Sequence, residues 1–246
     1  MFRRYARVGW LAGCVLLVVT AVTLFASQLQ AAAETVLYDG ALGTLPGNQQ
    51  MVFGTNSSLA TQTITNSGVL LDTTSSLGIS AGYSGNLAVV PNLNRAAGFV
   101  LSFSARLVAE SHVSNDRAGF SVILLGDDAQ GVELAFWPDE VFAQDDDQSG
   151  GALFTKAETA VWDTASSLSQ YQLFVVGDTY FLYADGVGVL NGRVRNYANF
   201  SGFPDPYETP NFIFLGDDTT SAQAQMQLNQ VTVQTLNRFF LPLAYK

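Results

Sequence analysis

Cysteine is almost missing from this 246-residue chain: Cys14 is the only one, and it sits in the apolar segment near the N-terminus. From Glu34 onward there is therefore no disulfide, no thiolate nucleophile and no cysteine-ligated metal. Histidine is as scarce, with His112 the single copy, which excludes His-rich zinc sites. Basic residues are few, 11 Lys and Arg against 21 Asp and Glu. Arg3, Arg4 and Arg7 precede Glu34, which leaves 8 basic residues against 21 acidic ones and a formal charge of −13. Such a charge argues against nucleic acid, whose binding rests on Lys and Arg neutralising phosphates, and against anionic membrane surfaces. No Gly-rich phosphate loop, nucleotide fingerprint or zinc spacing is present. Amphipathic helical stripes are missing too; runs such as Ala157 to Ala160 allow one turn of helix at most.

What the chain does have begins with its first 33 residues. Arg3, Arg4 and Arg7 lead into an apolar run from Val8 to Ala26, and Ala31-Ala32-Ala33 closes it with a small-x-small pattern. A basic head, an apolar helix and such an end form a secretory signal, so residues 34–246 are expected outside the cytoplasm, secreted or at the cell surface. The run is 19 residues long, and an uncleaved N-terminal membrane anchor is the alternative. Leu11-Ala12-Gly13-Cys14 matches a lipobox by coincidence, because too little apolar length precedes it. The organisation read from the sequence is a signal segment over 1–33, one domain over 34–236 and an aromatic-apolar tail over 237–246. Phe and Tyr, 17 and 9 of them, supply the apolar surface a folded domain must bury.

The periodicity of that domain is two. Phe99, Leu101, Phe103, Ala105 and Leu107 alternate with polar or small partners, as a strand with one face on a core requires. Ala224, Met226 and Leu228 alternate with glutamines, and the apolar positions resume out of step at Val231 and Val233, which predicts a bulge near Asn229. Ala118 to Leu125 and Val132 to Trp137 read as strands. Tyr171 to Val176, Thr179 to Ala184 and Val187 to Leu190 form a meander, with turns at Gly177-Asp178 and Asp185-Gly186. Val36 to Tyr38, Gly68 to Asp72 and Leu87 to Val90 are shorter strand candidates. The segment Leu-Gly-Asp-Asp occurs twice, at 125–128 and 215–218, and is expected on two strands in facing sheets.

The long strand running into a Gly-Asp-Asp loop, the strand ending in Phe136-Trp137, and the Tyr-x-Leu…Tyr-x-Leu-Tyr-x-Asp-Gly meander resemble the concanavalin A-like, laminin-G-type jelly rolls. The likeness covers roughly Gly98 to Gln234. The opening Leu37-Tyr38-Asp39-Gly40 looks like the start of secreted bacterial surface domains, and the ending Arg238 to Lys246 is similar to tails that close other exported bacterial proteins. This resemblance implies an all-β fold, two antiparallel sheets in a sandwich, which hosts binders, enzymes and scaffolds alike.

Three chemistries fit such a chain. Retaining glycosidases of this architecture carry two carboxylates on one strand in a Glu-x-Asp-x-(x)-Glu pattern, so that nucleophile and acid flank the sugar bond. Here Asp139-Glu140 and Asp145 to Asp147 have the wrong spacing, and no enzyme is expected unless carboxylates from separate strands converge. A Ca²⁺ ion wants clustered oxygens, for which Asp127, Asp128, Asp217 and Asp218 are the candidate ligands, with Asp145 to Asp147 a further cluster. Sugar rings stack on exposed aromatics, for which Trp137, Trp162, Tyr197 and Tyr207 are the candidates, against the alternative that they are core. Phe203-Pro204-Asp205-Pro206-Tyr207 reads equally as an exposed loop or a packed corner. His112 is expected to be a solvated loop residue, and Arg117 to pair structurally with Asp116. The function expected from sequence is thus a non-catalytic, lectin-like carbohydrate-binding module. A structural or adhesive surface protein with protein partners is the alternative, and a divergent hydrolase or lyase stands behind both.

Overall fold

The computed structural model describes residues 34–148 and 150–236; the expected signal helix and the tail lie outside the described residues. Fifteen strands succeed one another: β1 (Glu34–Asp39), β2 (Met51–Thr55), β3 (Thr61–Thr65), β4 (Gly68–Asp72), β5 (Ala81–Gly85), β6 (Phe99–His112), β7 (Ser121–Leu125), β8 (Gly131–Phe136), β9 (Glu140–Gln144), β10 (Lys156–Val161), β11 (Ser169–Val176), β12 (Thr179–Ala184), β13 (Val187–Arg193), β14 (Ile213–Asp217) and β15 (Ala222–Thr235). Single 3-10 turns at Gly40–Leu42 and Pro46–Asn48 are the only helical elements among the described residues.

All pairings are antiparallel and they make two sheets. The first, of eight strands, runs β13-β12-β11-β6-β15-β4-β3, with β1 also on β15. The second, of seven, runs β10-β9-β8-β7-β14-β5-β2. β6 and β15, 14 residues each, form the spine of the first sheet, and their register shifts between Leu228 and Gln230, where the sequence pattern slips by one. The meander is present as β11-β12-β13.

Side chains from the facing surfaces of both sheets build one core. Phe103 of β6 stacks on Tyr171 of β11 at 5.0 Å, and Phe136 of β8 meets Phe103 at 6.2 Å, Tyr171 at 5.4 Å and Phe120 at 4.9 Å. The second sheet is also covered on its outer face. Val122, Leu124, Val132, Leu134 and Phe136 face the main core, while Ile123 and Leu125 lie in a second apolar cluster with Phe154, Tyr197 and Tyr207. Burial on both faces explains why β7 and β8 read as continuous apolar runs rather than as alternation.

Several sequence expectations are corrected. The two Leu-Gly-Asp-Asp segments are not on facing sheets: β7 and β14 are neighbours in one sheet, paired antiparallel from Ile213 with Leu124 to Gly216 with Ser121. Their acidic ends therefore lie at opposite ends of the strand pair. Leu87 to Val90 is a turn, because the Asn86 side chain accepts from the Ala88 N–H and the Asn86 carbonyl from the Val89 and Val90 N–H groups. Ala157 to Ala160 belongs to strand β10.

Phe136 is fully buried at the meeting point of the two sheets. Phe136→Ala is expected to lower unfolding stability by about 3–5 kcal/mol, read from urea denaturation. A loss under about 1 kcal/mol would show that the sheets do not pack through this ring.

Candidate active site

The outer face of the second sheet carries one acid in an apolar strand. In β8, Val132, Leu134 and Phe136 face the main core, so Gly131, Glu133 and Ala135 face the other way. Glu133 is 1% exposed. Gly131 lets this region close up, since a Cβ there would lie 1.8 Å from the Leu124 carbonyl oxygen, and its N–H and C=O pair with Arg195. That bridge brings the segment after Arg195 over the sheet and with it the two tyrosines.

Tyr197 and Tyr207 hold Glu133 from two sides. The Glu133 N–H donates to the Tyr197 hydroxyl at 3.0 Å, and that hydroxyl donates to the Gln144 carbonyl at 2.9 Å. Leu134 pairs with Ala143, so a direct bond from Glu133 to Gln144 would be next in the ladder. The phenol oxygen stands in its place and parts β8 from β9. The Tyr207 hydroxyl donates to Glu133 Oε2. Phe154 and Phe200 pack the tyrosine pair into a four-ring cluster.

Asp218, just past the end of β14, is solvent-exposed, and its charge acts on the Glu133 carboxyl, so that the two acids are coupled. Burial, then the charge of Asp218, pushes the Glu133 carboxyl well above the usual range, against the Tyr207 hydrogen bond and the Arg117 guanidinium. Crowding by protein raises Asp218 as well, opposed by Arg117 and Ser121. The two carboxyls titrate as a coupled pair whose protons leave in two steps, both raised from the ordinary carboxylate range. Burial and the charge of Glu133 raise both tyrosine hydroxyls, so Tyr207 remains a donor.

Around this pair the remaining side chains lock one another. Arg117 lies over the Phe154 ring at 4.5 Å rather than pairing with Asp116, which accepts from Ser114. The Trp137 indole N–H donates to the Arg117 carbonyl at 2.9 Å. His112 is not a loop residue: it ends β6, stacks on Trp137 at 4.0 Å and 3°, and lies 3.0 Å from the Glu110 carboxylate. Lys156 Nζ sits 3.2 Å over the same indole. A ring and an ammonium that close cannot share one face, so both faces of Trp137 are covered by protein.

The sequence candidates therefore scatter. Tyr197 and Tyr207 are buried supports of Glu133, Trp137 has no open face, and Trp162 packs against the main core. Phe203 is wholly exposed while Tyr207 is buried, so the Phe203–Tyr207 stretch is loop at one end and packed corner at the other. Among the acids, Asp127 accepts from Asn92 and Asn94, and Asp128 pairs with Arg95. Asp145 and Asp146 pair with Arg193. Asp217 continues the inward row of Ile213 and Leu215 and hydrogen-bonds Thr73 at 2.6 Å. The four proposed calcium ligands are thus divided between two ends of a strand pair, with a guanidinium on one and a second carboxyl against another. They do not fit a single cation. Among the described residues no group of three His, Cys, Asp or Glu is placed to hold a metal. Glu133 was not singled out from sequence; its signal was an isolated acid within Gly131-Val-Glu-Leu-Ala-Phe136, a strand apolar on both faces.

No protein-family model and no curated protein matches the sequence. Solved structures do match in fold. A carbohydrate esterase, vb_24B_21 of Shiga toxin-encoding bacteriophage phi24B, aligns with 85% of this chain and 99% of its own, at 11% identity and TM-score 0.55. The Emp47p carbohydrate recognition domain aligns over 85% and 99% at 10% identity and TM-score 0.47, and family 7 alginate lyase A1-II′ over 87% and 94% at 13% and 0.46. The fold is the concanavalin A-like jelly roll. The expectation that no enzyme is present is overturned, since the esterase matched at TM-score 0.55 is an enzyme with this fold.

Asp217 gives this jelly roll a pH signature. Burial raises its carboxyl to about 8, and the protonated acid suits Thr73, whose hydroxyl also faces the Ala224 carbonyl. A folded value above the unfolded one, ~3.9, means that the folded state binds the proton more tightly. Its stabilising effect is complete below ~4, declines by at most about 1.4 kcal/mol per pH unit, and is gone above about 8. Urea midpoints of Asp217→Asn measured from pH 4 to 9 are expected to lack that decline; parallel curves for variant and parent would contradict it.

Proposed function

We propose that this protein is a carbohydrate-active hydrolase that removes an ester-linked acyl group from a glycan, with Asp218 as general base and acid. The observation that carries this reading is the Glu133–Asp218 carboxyl pair on the outer face of the second sheet. In this reading the two carboxyls share a proton, which needs them closer than the roughly 5–5.5 Å of a retaining glycosidase or the 6.5–9.5 Å of an inverting one. A one-proton dyad suits activation of water at a carbonyl carbon. The fold-level match to a carbohydrate esterase agrees with ester chemistry and supplies no residue roles.

In this reading the ionised Asp218 draws a proton from a water molecule whose oxygen bonds to the acyl carbon. Arg117, the cation beside both carboxyls, stabilises the oxyanion. The carbon–oxygen bond to the sugar then breaks, and Asp218 returns the proton to the sugar oxygen. Glu133 is a positioning residue: held neutral by burial and fixed by Tyr207, it sets the basicity of Asp218.

Acetate release from acetylated xylan and from p-nitrophenyl acetate tests this. Asp218→Asn is expected to lower kcat by about 10²–10⁴-fold, the usual worth of a general base. Glu133→Gln keeps the neutral donor that this reading assigns to Glu133. It is expected to retain turnover with the lower limb of the pH profile in place, and to lose the change on the alkaline side that ionisation of Glu133 brings. Full activity in Asp218→Asn, or glycan binding without turnover by the parent, would overturn the assignment.

A further inference from the structure

The outer face of the first sheet presents a second kind of surface. There, five side chains on adjacent strands form two rows. Gln172 of β11 stands opposite Ser102 of β6, and Gln170 opposite Ser104, which in turn faces Gln230 of β15. Tyr183 of β12 extends the first row beyond Gln172. All six are exposed or half-buried, and none of their side-chain amides and hydroxyls has a hydrogen-bond partner among the described residues. This is unlike Gln225 and Gln227 further along β15, whose amides are engaged by Asp72 and Ser67.

The block is also uncharged, in a chain with 21 acidic residues. Charged groups stand at its margins: Asp39 across from Gln230, Asp185, which accepts from the Gln170 N–H, Glu34, which accepts from Thr232 beside Ser102, and Arg106, next after Ser104 on that face of β6. Four strands at about 4.8 Å spacing give the block a length of about 14 Å, and two residues along a strand separate its rows by about 7 Å. Each glutamine amide offers two donors and an acceptor, and each hydroxyl both functions, which is the chemistry that pairs with sugar hydroxyls. Tyr183, braced edge-on by Phe174 at 5.8 Å, offers an aromatic surface at one end. A second copy of the chain is a poor occupant, because the cores of homodimer interfaces are about 65% apolar.

We propose that this face is a non-catalytic binding surface for a neutral polysaccharide, lying across β12, β11, β6 and β15, on the sheet opposite the Glu133–Asp218 pair. It is independent of the hydrolase reading, and the test separates the two by using full-length Asp218→Asn protein, which binds without turnover. Affinity electrophoresis through gels containing soluble mannan or hydroxyethylcellulose is expected to retard this protein, and polygalacturonate gels are not. Adding Gln172→Glu with Gln230→Glu, or Tyr183→Ala, is expected to weaken retardation at least tenfold with circular dichroism unchanged. The same substitutions in the parent are expected to leave p-nitrophenyl acetate turnover intact. No retardation in either neutral gel, or undiminished retardation of the charged variant, would overturn the proposal. So would a dimer in sedimentation that the charged variant dissolves, which would assign the face to self-association.

Discussion

The carboxyl of Glu133 is the group that the rest of this protein accommodates. An unpaired buried carboxylate is among the most unfavourable groups a fold can contain, and burial alone pushes it toward the neutral form. Everything around it responds to that. The Arg195 bridge to Gly131 leads the chain over the sheet, Tyr197 opens the β8–β9 ladder at Glu133, and Tyr207 donates to the carboxyl itself. Asp218 completes the arrangement from the end of β14, which lies beyond β7 in the sheet. The outer apolar cluster of Phe154, Phe200, Tyr197 and Tyr207 excludes water from the back of this site while leaving Asp218 open. A buried acid in a double-faced strand is a local conflict with the sheet's packing, and such conflicts are where functional groups sit.

Much of the sandwich was legible because its strands alternate. β6, β11, β12 and β15 keep one face on the main core, and a period of two survives in their sequences, down to the bulge at Asn229. The second sheet was harder. β7 and β8 are buried on both faces, so no alternation marked which residues face outward, and Glu133 passed as an interruption in an apolar run. The repeated Leu-Gly-Asp-Asp was a true similarity with the wrong geometry attached. Antiparallel neighbours place matching segments at opposite ends, which divides Asp127 and Asp128 from Asp217 and Asp218.

The site was illegible for a related reason. Its members come from β8, from the turn after β14 and from a long return segment, and only the pairing of β7 with both β8 and β14 brings them together. Aromatic candidates chosen for sugar stacking turned out to serve the carboxyl or one another. Tyr207 gives its hydroxyl to Glu133, and Trp137 spends both faces on His112 and Lys156. Chemistry assembled across a sheet leaves no spacing signature in the chain, whereas the polar block of the first sheet does leave one, in the alternation that carries Ser102 and Ser104 on β6 and Gln170 and Gln172 on β11.

Under the proposed function, Glu133 and Asp218 hold one proton between them at neutral pH. Carboxyl ¹³C chemical shifts of labelled protein, followed from pH 3 to 9 and assigned with Glu133→Gln and Asp218→Asn, measure it directly. One carboxyl of the pair is expected to be still protonated at pH 7, and the Glu133 titration is expected to move down in Asp218→Asn. Independent titration of both groups below pH ~5, near the values of ordinary carboxylates, would contradict it.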